Sequence, residues 1–297
     1  MRPDAQRTRT PRPRVVVEHT PSLFSQAIPP SDGLPRASVT LGLRVLASSS
    51  AGNCSVLIRG DAPMPRLTLI DAGLSPRRTT KLLAQMGYRL DQIDDVILTH
   101  LDRDHFYPSW VEALPRHAVF RIHKSHRRRA EKTGLLYRRT MIFDEQNPAE
   151  MADGITAHVA SASHDQLGVA VFRFQVEHCA TPVLGYATDL GRVTDTLVDH
   201  LAGVHTLAIE SNYCPKMQVS SGRPGFLVDR IMNGSGHLSN EESAGAVRAI
   251  APTGRTVLLH LSRQCNTPEL ARSLHGDDAV VAHHEVPTDF IPLTRRP

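Results

Sequence analysis

Four short, mostly apolar runs in the sequence each stop at an aspartate or a histidine, and this repeated pattern limits the folds open to the chain. The runs LTLI, VILT, VLGYAT and TVLL are followed by Asp71, His100, Asp189 and His260. Short apolar runs bounded by polar residues are typical of buried strands. Loops at one edge of an α/β sheet carry polar sites because the strands hold them rigidly. The pattern therefore predicts an α/β fold with a polar site at a sheet edge.

The segments around these runs predict alternating strands and helices from about Ser38 onward. Strands are predicted at VTLGLRVLAS, CSVLIRG, RLTLIDAG, DDVILT, GVAVFRFQV, PVLGYATD, TLAIES and TVLLH. Helices are predicted at SPRRTTKLLAQMG, PSWVEAL, DTLVDHLA, NEESAGAVRAI and TPELARSL. Two strand-rich halves separated by helices predict a layered αββα sandwich, formed as a single domain over residues 38–297.

Composition predicts a disordered Arg/Pro-rich tail over residues 1–37, because this segment has too few apolar residues to fold. A mitochondrial presequence is disfavoured there, since three early prolines would break its helix. Residues 1–14 hold five Arg and one Asp, a balance equal to the chain's net charge of +4. The rest of the chain is therefore nearly neutral, and any basic surface on it must be local.

The cellular class is predicted from the cysteines and the apolar runs. The four cysteines are far apart and form no CxxC pair, which indicates reduced thiols in a cytoplasmic protein. The apolar runs are far shorter than the roughly 20 residues that a membrane span needs, so no membrane association is predicted. Nothing in the sequence indicates an oligomeric state.

The segment THLDRDH carries several groups that bind transition metals. His100, Asp102, Asp104 and His105 offer imidazole nitrogens and carboxylate oxygens, which suit zinc, manganese or iron. One loop cannot close a coordination sphere, and His164, Asp189 and His260 supply more distant candidates. Such residues singly are more often surface or capping groups. Seven of them near successive strand ends favour a metal site.

The order of LIDAG, THLDRDH, SASHD, YATDLG and LLHLS resembles the metallo-β-lactamase superfamily, whose motif HxHxDH is followed by a His, a bridging Asp and a final His. The strings SSSAGNCSVLI, ESNY, GHLSNEESA and HLSRQCNTPELA are similar to the YycJ/WalJ-type hydrolases, a bacterial branch associated with DNA exonuclease and phosphodiesterase activity. The resemblance extends from about Val39 to Phe290. It implies the αββα fold and two divalent metal ions.

The resemblance also implies a role for each motif residue. It places one ion on His100 and His164, a second on Asp104, His105 and His260, a bridge at Asp189 and an orienting carboxylate at Asp71. The family expects a histidine where this chain has Asp102. An aspartate there could weaken the first site or shift its preference from zinc toward manganese or iron. Whether Asp102 binds metal stays open from the sequence.

The site is also expected to contain catalytic residues and residues that support it or contact substrate. Asp104 and His237 are the expected catalytic residues, because His237 in GSGHLSN could protonate a leaving oxygen. Ser239 begins a predicted helix, whose free N–H groups can contact an anion, although capping alone explains it. Glu210 and Asn212 in ESNY are expected to support the site or contact substrate, and a strand-terminal turn explains them almost as well.

Substrate preference depends on the basic segment HKSHRRRAEKTGLLYRR, which has seven Lys or Arg and one Glu. It could contact phosphates, or it could be a solvated basic helix. The resulting hypothesis is a phosphodiesterase or nuclease that uses a water activated by two metal ions and acts on single-stranded or end-bearing DNA or RNA. The alternatives are a lactonase or thioesterase acting on a small substrate, and a non-catalytic binding module with a degenerate metal site.

Overall fold

The computed structural model describes residues 34–37, 39–60, 64–164 and 166–294. Residues 1–33, which make up most of the predicted tail, lie outside the described residues. Ala37, also within the predicted tail, is described and is buried in the core. No helix in the described part of the chain has both the length and the apolar character to span a membrane.

The described residues form short strands and helices that alternate along the chain. The strands are β1 Leu41–Ala47, β2 Cys54–Arg59, β3 Arg66–Ile70, β4 Ile93–Ile97, β5 Val119–His123, β6 Thr140–Phe143, β7 Ala149–Glu150, β8 Ile155–Ala162, β9 Val169–Val176, β10 Leu184–Ala187, β11 Thr206–Glu210, β12 Arg255–Leu259, β13 Val280–Val281 and β14 Ile291–Pro292. The helices are α1 Pro76–Gln85, α2 Trp110–Ala113, α3 Arg127–Lys132, α4 Asp195–Leu201, α5 Pro215–Val219, α6 Gly225–Arg230, α7 Asn240–Ile250 and α8 Pro268–His275.

The strands form two mixed sheets of matching design, which confirms the predicted αββα sandwich. One sheet has the order β14-β1-β2-β3-β4-β5-β6, and the other has the order β13-β12-β11-β10-β9-β8-β7. In each sheet, hairpin-type antiparallel pairs are followed by neighbours that pair in parallel, β3 to β6 in the first and β10 to β13 in the second. The carboxyl ends of the parallel strands are therefore available in both sheets to carry a site.

Three apolar clusters fill the layers. One lies between the sheets and includes Leu43, Phe172 and Leu259. The others lie on the outer faces, where Leu83 and Trp110 pack under α1 and α2, and α4, α7 and α8 cover the second sheet. Strands covered on both faces read as continuous apolar runs, as in fully buried β2.

All eight predicted strands and all five predicted helices are present, whereas strands β5 to β8, β13 and β14 were not predicted. β8 alternates buried residues with Thr156, His158 and Ala160, so only its inward face is apolar. β7, β13 and β14 have two residues each, too few for any periodicity to be recognised. The unpredicted strands therefore include three very short ones and one that is apolar on a single face.

Candidate metal centre

The carboxyl ends of parallel strands from both sheets deliver the polar side chains to one place. Asp71 follows β3, His100 follows β4 by three residues, Asp189 follows β10 by two, Glu210 ends β11 and His260 follows β12. The first two belong to one sheet and the other three belong to the second sheet. The site therefore lies where the two sheets meet along this edge.

Three of these residues have left-handed backbone conformations, which are uncommon for residues other than glycine. The φ angles are 61° at Asp71, 56° at Asp189 and 54° at His260. Such conformations cost on the order of 1–3 kcal/mol each and cluster at functional sites. Each one turns the chain sharply at the end of its strand, so that the side chain is held in the site.

Asp71 organises the loop that follows β4. Its Oδ1 accepts hydrogen bonds from the Thr99 backbone N–H (2.8 Å) and hydroxyl (2.9 Å). Its Oδ2 accepts one from His105 Nδ1 at 2.7 Å, and both residues are fully buried. Burial lowers the pKa of His105, but the carboxylates of Asp189 and Asp71 outweigh it and raise that pKa well above its usual value. The predicted orienting residue is thus in direct contact with a predicted ligand.

Asp189 lies at the centre of the imidazole cluster. Its Oδ2 is 2.9 Å from His105 Nε2 and 3.4 Å from His260 Nδ1. Its Oδ1 is 3.9 Å from His164 Nε2 and 3.7 Å from His237 Nδ1. Burial raises the pKa of this carboxyl, but the imidazoles of His260 and His105 hold it well below its usual range. One carboxylate thus faces imidazoles through both oxygens, as a bridging ligand would.

Three groups of side chains bring possible ligand atoms within 4.8 Å of one another. They are Asp104, His105, Asp189 and His260; then His100, His164 and Asp189; and also Asp189, Glu210, His237 and His260. The first two groups match the two ligand sets implied by the resemblance.

The chemistry of the donor set fits a divalent transition metal. Nε2 of His100 and Nε2 of His260 are buried and have no hydrogen-bond partner among the described residues. Burial lowers the pKa of both, to about 3 for His260. Both rings are therefore neutral, and Nδ1 of each faces an oxygen: Thr99 Oγ1 at 3.0 Å for His100 and Asn53 Oδ1 at 3.2 Å for His260. A proton on Nδ1 leaves the lone pair on Nε2, which is the form that binds metal.

Asp102 belongs to none of these three groups. Its Oδ1 accepts a 2.5 Å ion-pair hydrogen bond from Arg129 in α3, and its Oδ2 is 3.9 Å from His100 Nε2. Both partners are partly exposed. The carboxylate that replaces the expected histidine is therefore held at the rim of the cluster by a cation.

His237 and Glu210 form a pair beside the cluster. Glu210 Oε1 accepts a hydrogen bond from His237 Nδ1 at 2.6 Å. Burial lowers the pKa of His237, but the charge and hydrogen bond of Glu210 raise it to about 9. The His237 ring is stacked on His260 with 5.1 Å between centroids, and it is 5.4 Å from the His164 ring. A protonated imidazole therefore lies next to the ligand groups.

Asn212 and Ser239, the two other predicted residues of this region, make contacts that stabilise nearby turns and helix ends. Asn212 Nδ2 donates a 2.6 Å hydrogen bond to the backbone carbonyl of His260 and thereby supports the turn after β12. Ser239 begins α7 with a capping box, in which its hydroxyl accepts from Glu242 N–H and the Glu242 carboxylate accepts from Ser239 N–H. The capping explanation considered for Ser239 therefore accounts for its contacts.

Two residues outside the predicted set also hold the site. Asn53 Nδ2 is 2.9 Å from His105 Nε2, its Oδ1 is 3.2 Å from His260 Nδ1, and its backbone N–H donates to the carbonyl of Asp104. A Cβ on Gly73 would overlap that same carbonyl. Asn53 lies in SSSAGNC, a string noted in the sequence, but amide contacts across the fold leave no local pattern.

Several cations of the predicted basic segment are tied to other parts of the protein. Lys124 pairs with Asp144 at 3.2 Å, Arg129 pairs with Asp102, and Arg138 donates to backbone carbonyls at the end of α2. Arg127, Arg128 and Lys132 are exposed on α3 and form no ion pair with the described residues. Part of this segment is therefore structural.

Comparison with known proteins finds relatives of this chain in sequence and in fold. The family described as "Beta-lactamase superfamily domain" matches residues 66–261. The chain is 27% identical over 253 residues to "Exodeoxyribonuclease WalJ" of Streptococcus pneumoniae, which covers 83% of this chain and 91% of that protein. It is 27% identical over 238 residues to "Exodeoxyribonuclease YycJ" of Bacillus anthracis, which covers 78% of this chain and 86% of that protein. Zn²⁺-bound PqqB from Methylobacterium extorquens shares the fold with a TM-score of 0.63 and 15% identity, covering 84% and 99%.

Proposed function

The chain belongs to the β-lactamase superfamily, and from this we propose that it is a metal-dependent phosphodiesterase that acts on nucleic acid as a nuclease. The observation that carries the proposal is Asp189, whose two oxygens face imidazoles of two separate ligand groups. Two relatives of similar length are named exodeoxyribonucleases, which favours DNA as the substrate. The four cysteines are free thiols, which supports action in the cytoplasm.

Two divalent ions fit the donor set. Asp104, His105 and His260 would hold one of them and His100 and His164 the other, with Asp189 shared between both. When bound, such ions activate a water and stabilise negative charge on the attacked and leaving oxygens. Imidazole-rich donors suit zinc, and each added carboxylate oxygen shifts the preference toward manganese or iron.

The two sites should differ in strength. We propose that the ion-pair hydrogen bond from Arg129 keeps Asp102 from acting as a third strong ligand beside His100, His164 and Asp189. After dialysis against a weak chelator, we expect the wild-type protein to retain about one ion per chain and Asp102→His to retain about two. Elemental analysis measures this directly. Two tightly retained ions in the wild-type protein would contradict the difference in strength.

The remaining side chains position groups and move protons. Glu210 accepts a hydrogen bond from Nδ1 of His237, so Nε2 of that ring is free to donate a proton to the leaving oxygen. Asp104 is partly exposed at the rim, where burial raises the pKa of its carboxyl. We propose that it accepts a proton from the attacking water.

The test is an assay with labelled single-stranded DNA, duplex DNA and RNA, run with manganese or zinc. We expect metal-dependent cleavage that is lost in His105→Ala, because this change removes a ligand. In His237→Asn, turnover should fall roughly 100- to 10,000-fold while bound metal is retained. Cleavage that persists in His105→Ala would point to a contaminating nuclease. Hydrolysis of a lactone or thioester without any phosphodiester cleavage would refute the proposal.

A further inference from the structure

Three adjoining cavities form a continuous basic groove that begins at the candidate metal centre. The first, of about 510 Å³, is lined by Asp104 and Tyr107, and it shares Ala51 and Arg78 with a second of about 380 Å³. The second shares Arg263 and His284 with a third of about 300 Å³, which extends to the first turn of α8. Because neighbouring cavities share residues, one molecule could occupy all three.

Four cations line the basic groove: Arg78, Lys81, Arg103 and Arg263. Among the residues that the structure describes, Lys81, Arg103 and Arg263 form no ion pair, and all three are exposed. The acidic lining residues are Glu285 and the proposed ligand Asp104. The groove therefore has an excess of positive charge in a chain whose folded part is nearly neutral.

The wall of the basic groove is fixed in place. Arg78 Nη2 donates a 2.5 Å hydrogen bond to the carbonyl of His284, and this contact joins α1 to the turn after β13. Ser75 caps the start of α1, and small residues such as Gly73 and Ala51 line the groove next to it. Small residues let an extended strand approach the protein backbone closely. Preorganised charge on a rigid wall suits a regular polyanion.

From these observations we propose that the basic groove binds the sugar–phosphate backbone of single-stranded nucleic acid leading away from the bond to be cleaved. This inference rests on the proposed nuclease function. Cations would contact successive phosphates, and the partly exposed Tyr107 ring would stack on a base near Asp104, as aromatic rings do in single-strand binding sites. Such contacts do not depend on sequence, which suits an enzyme that digests a strand progressively.

The basic segment on α3 is the competing surface. Arg127, Arg128 and Lys132 are exposed there, but no residue of α3 lines any of the three cavities of the basic groove. Arg129 is held by Asp102, and Lys124 and Arg138 are tied to other elements. Arg127, Arg128 and Lys132 remain, and the first two provide a matched control. Neutralising them removes the same charge as neutralising Lys81 and Arg263.

The experiment compares the wild-type holoenzyme with Lys81→Gln/Arg263→Gln and with Arg127→Gln/Arg128→Gln. Fluorescence anisotropy measures binding of a labelled, single-stranded phosphorothioate oligonucleotide over a salt series. Each lost phosphate contact makes the negative slope of log K against log salt shallower by about 0.7. The groove variant, which loses two contacts, should therefore have a slope shallower by about 1.4 than that of the wild type. At about 0.15 M salt, its Kd should rise roughly tenfold. The α3 variant should match the wild type.

Hydrolysis of bis(p-nitrophenyl) phosphate is measured alongside, because this small diester lacks the further phosphates that Lys81 and Arg263, which do not line the first cavity, would contact. Unchanged hydrolysis in the groove variant, with the weakened binding, supports the inference. An unchanged salt slope in the groove variant overturns it, as does a loss confined to the α3 variant. If the wild type hydrolyses no phosphodiester, the proposed function fails, while the binding series still decides whether the groove holds a strand.

Discussion

Replacing Asp71 by asparagine should weaken metal binding without unfolding the protein. Asparagine has the same shape, and it tolerates the left-handed backbone that Asp71 adopts at φ 61°. The carboxylate accepts hydrogen bonds from both Thr99 and His105. The single amide oxygen of asparagine can serve only one of these neighbours.

The expected result follows from the tautomer of His105. If the amide oxygen of the new side chain faces the Thr99 N–H, its NH₂ group faces His105 Nδ1, which must then be unprotonated. The ring proton moves to Nε2, the nitrogen nearest Asp189, and occupies the lone pair needed for the metal. Loss of such orienting partners costs roughly 10- to 100-fold in metal affinity, about 1.4 to 2.7 kcal/mol.

Competition against a chromophoric chelator measures this affinity, and nitrogen-15 NMR of the imidazoles reports which ring nitrogen carries the proton. Thermal unfolding of the metal-free proteins serves as the control, since the argument requires Asp71→Asn to remain folded. Metal affinity equal to that of the wild type, with the proton still on Nδ1 of His105, would refute the reasoning.

Two further predictions concern packing and pH. A Cβ at position 73 overlaps the carbonyl of Asp104, so Gly73→Ala should displace the metal loop and lower metal affinity at least tenfold. Gly245→Ala in α7, where the added methyl meets only the end of Arg248, is the control and should bind metal normally. Burial and then Arg248 lower the pKa of His275 to about 4, so protons favour the unfolded state below the ordinary histidine pKa. The free energy of unfolding of the wild type should therefore fall by about 2 kcal/mol more between pH 7 and pH 5 than that of His275→Leu. Urea titration at the two pH values measures both losses. Equal losses in the two proteins would show that His275 is not the source of the pH dependence.

The strand-end pattern was sufficient to predict an α/β fold and the sheet edge at which the candidate site lies. Asp71, Asp189 and His260 follow strands from both sheets, and the structure brings them together because parallel strands place their carboxyl ends on one side. Such a pattern is local in sequence, since each strand and its terminal residue are adjacent. Most of the predicted strands and helices therefore followed from local patterns of apolar residues.

Long-range contacts could not be predicted in this way. Arg129 is 27 residues from Asp102, and Asn53 is 207 residues from His260. Each contact depends on how complete elements pack, and neither partner is unusual in its own segment. The basic segment shows the same limit, because its charge was evident in the sequence and the partners that hold Arg129 and Lys124 were not.

The left-handed backbone at Asp71, Asp189 and His260 shows how the sandwich supports the site. An isolated strand end would relax to an extended or helical conformation and turn each side chain away, since the left-handed form costs on the order of 1–3 kcal/mol. Here each of these residues follows a strand whose last residue is fully buried between layers, as Ile70 and Leu259 are. Burial of such a side chain contributes about 1.5–3 kcal/mol, enough to offset the local strain. Core packing and ligand geometry are therefore coupled, and core substitutions next to these three positions should disturb metal binding before they unfold the protein.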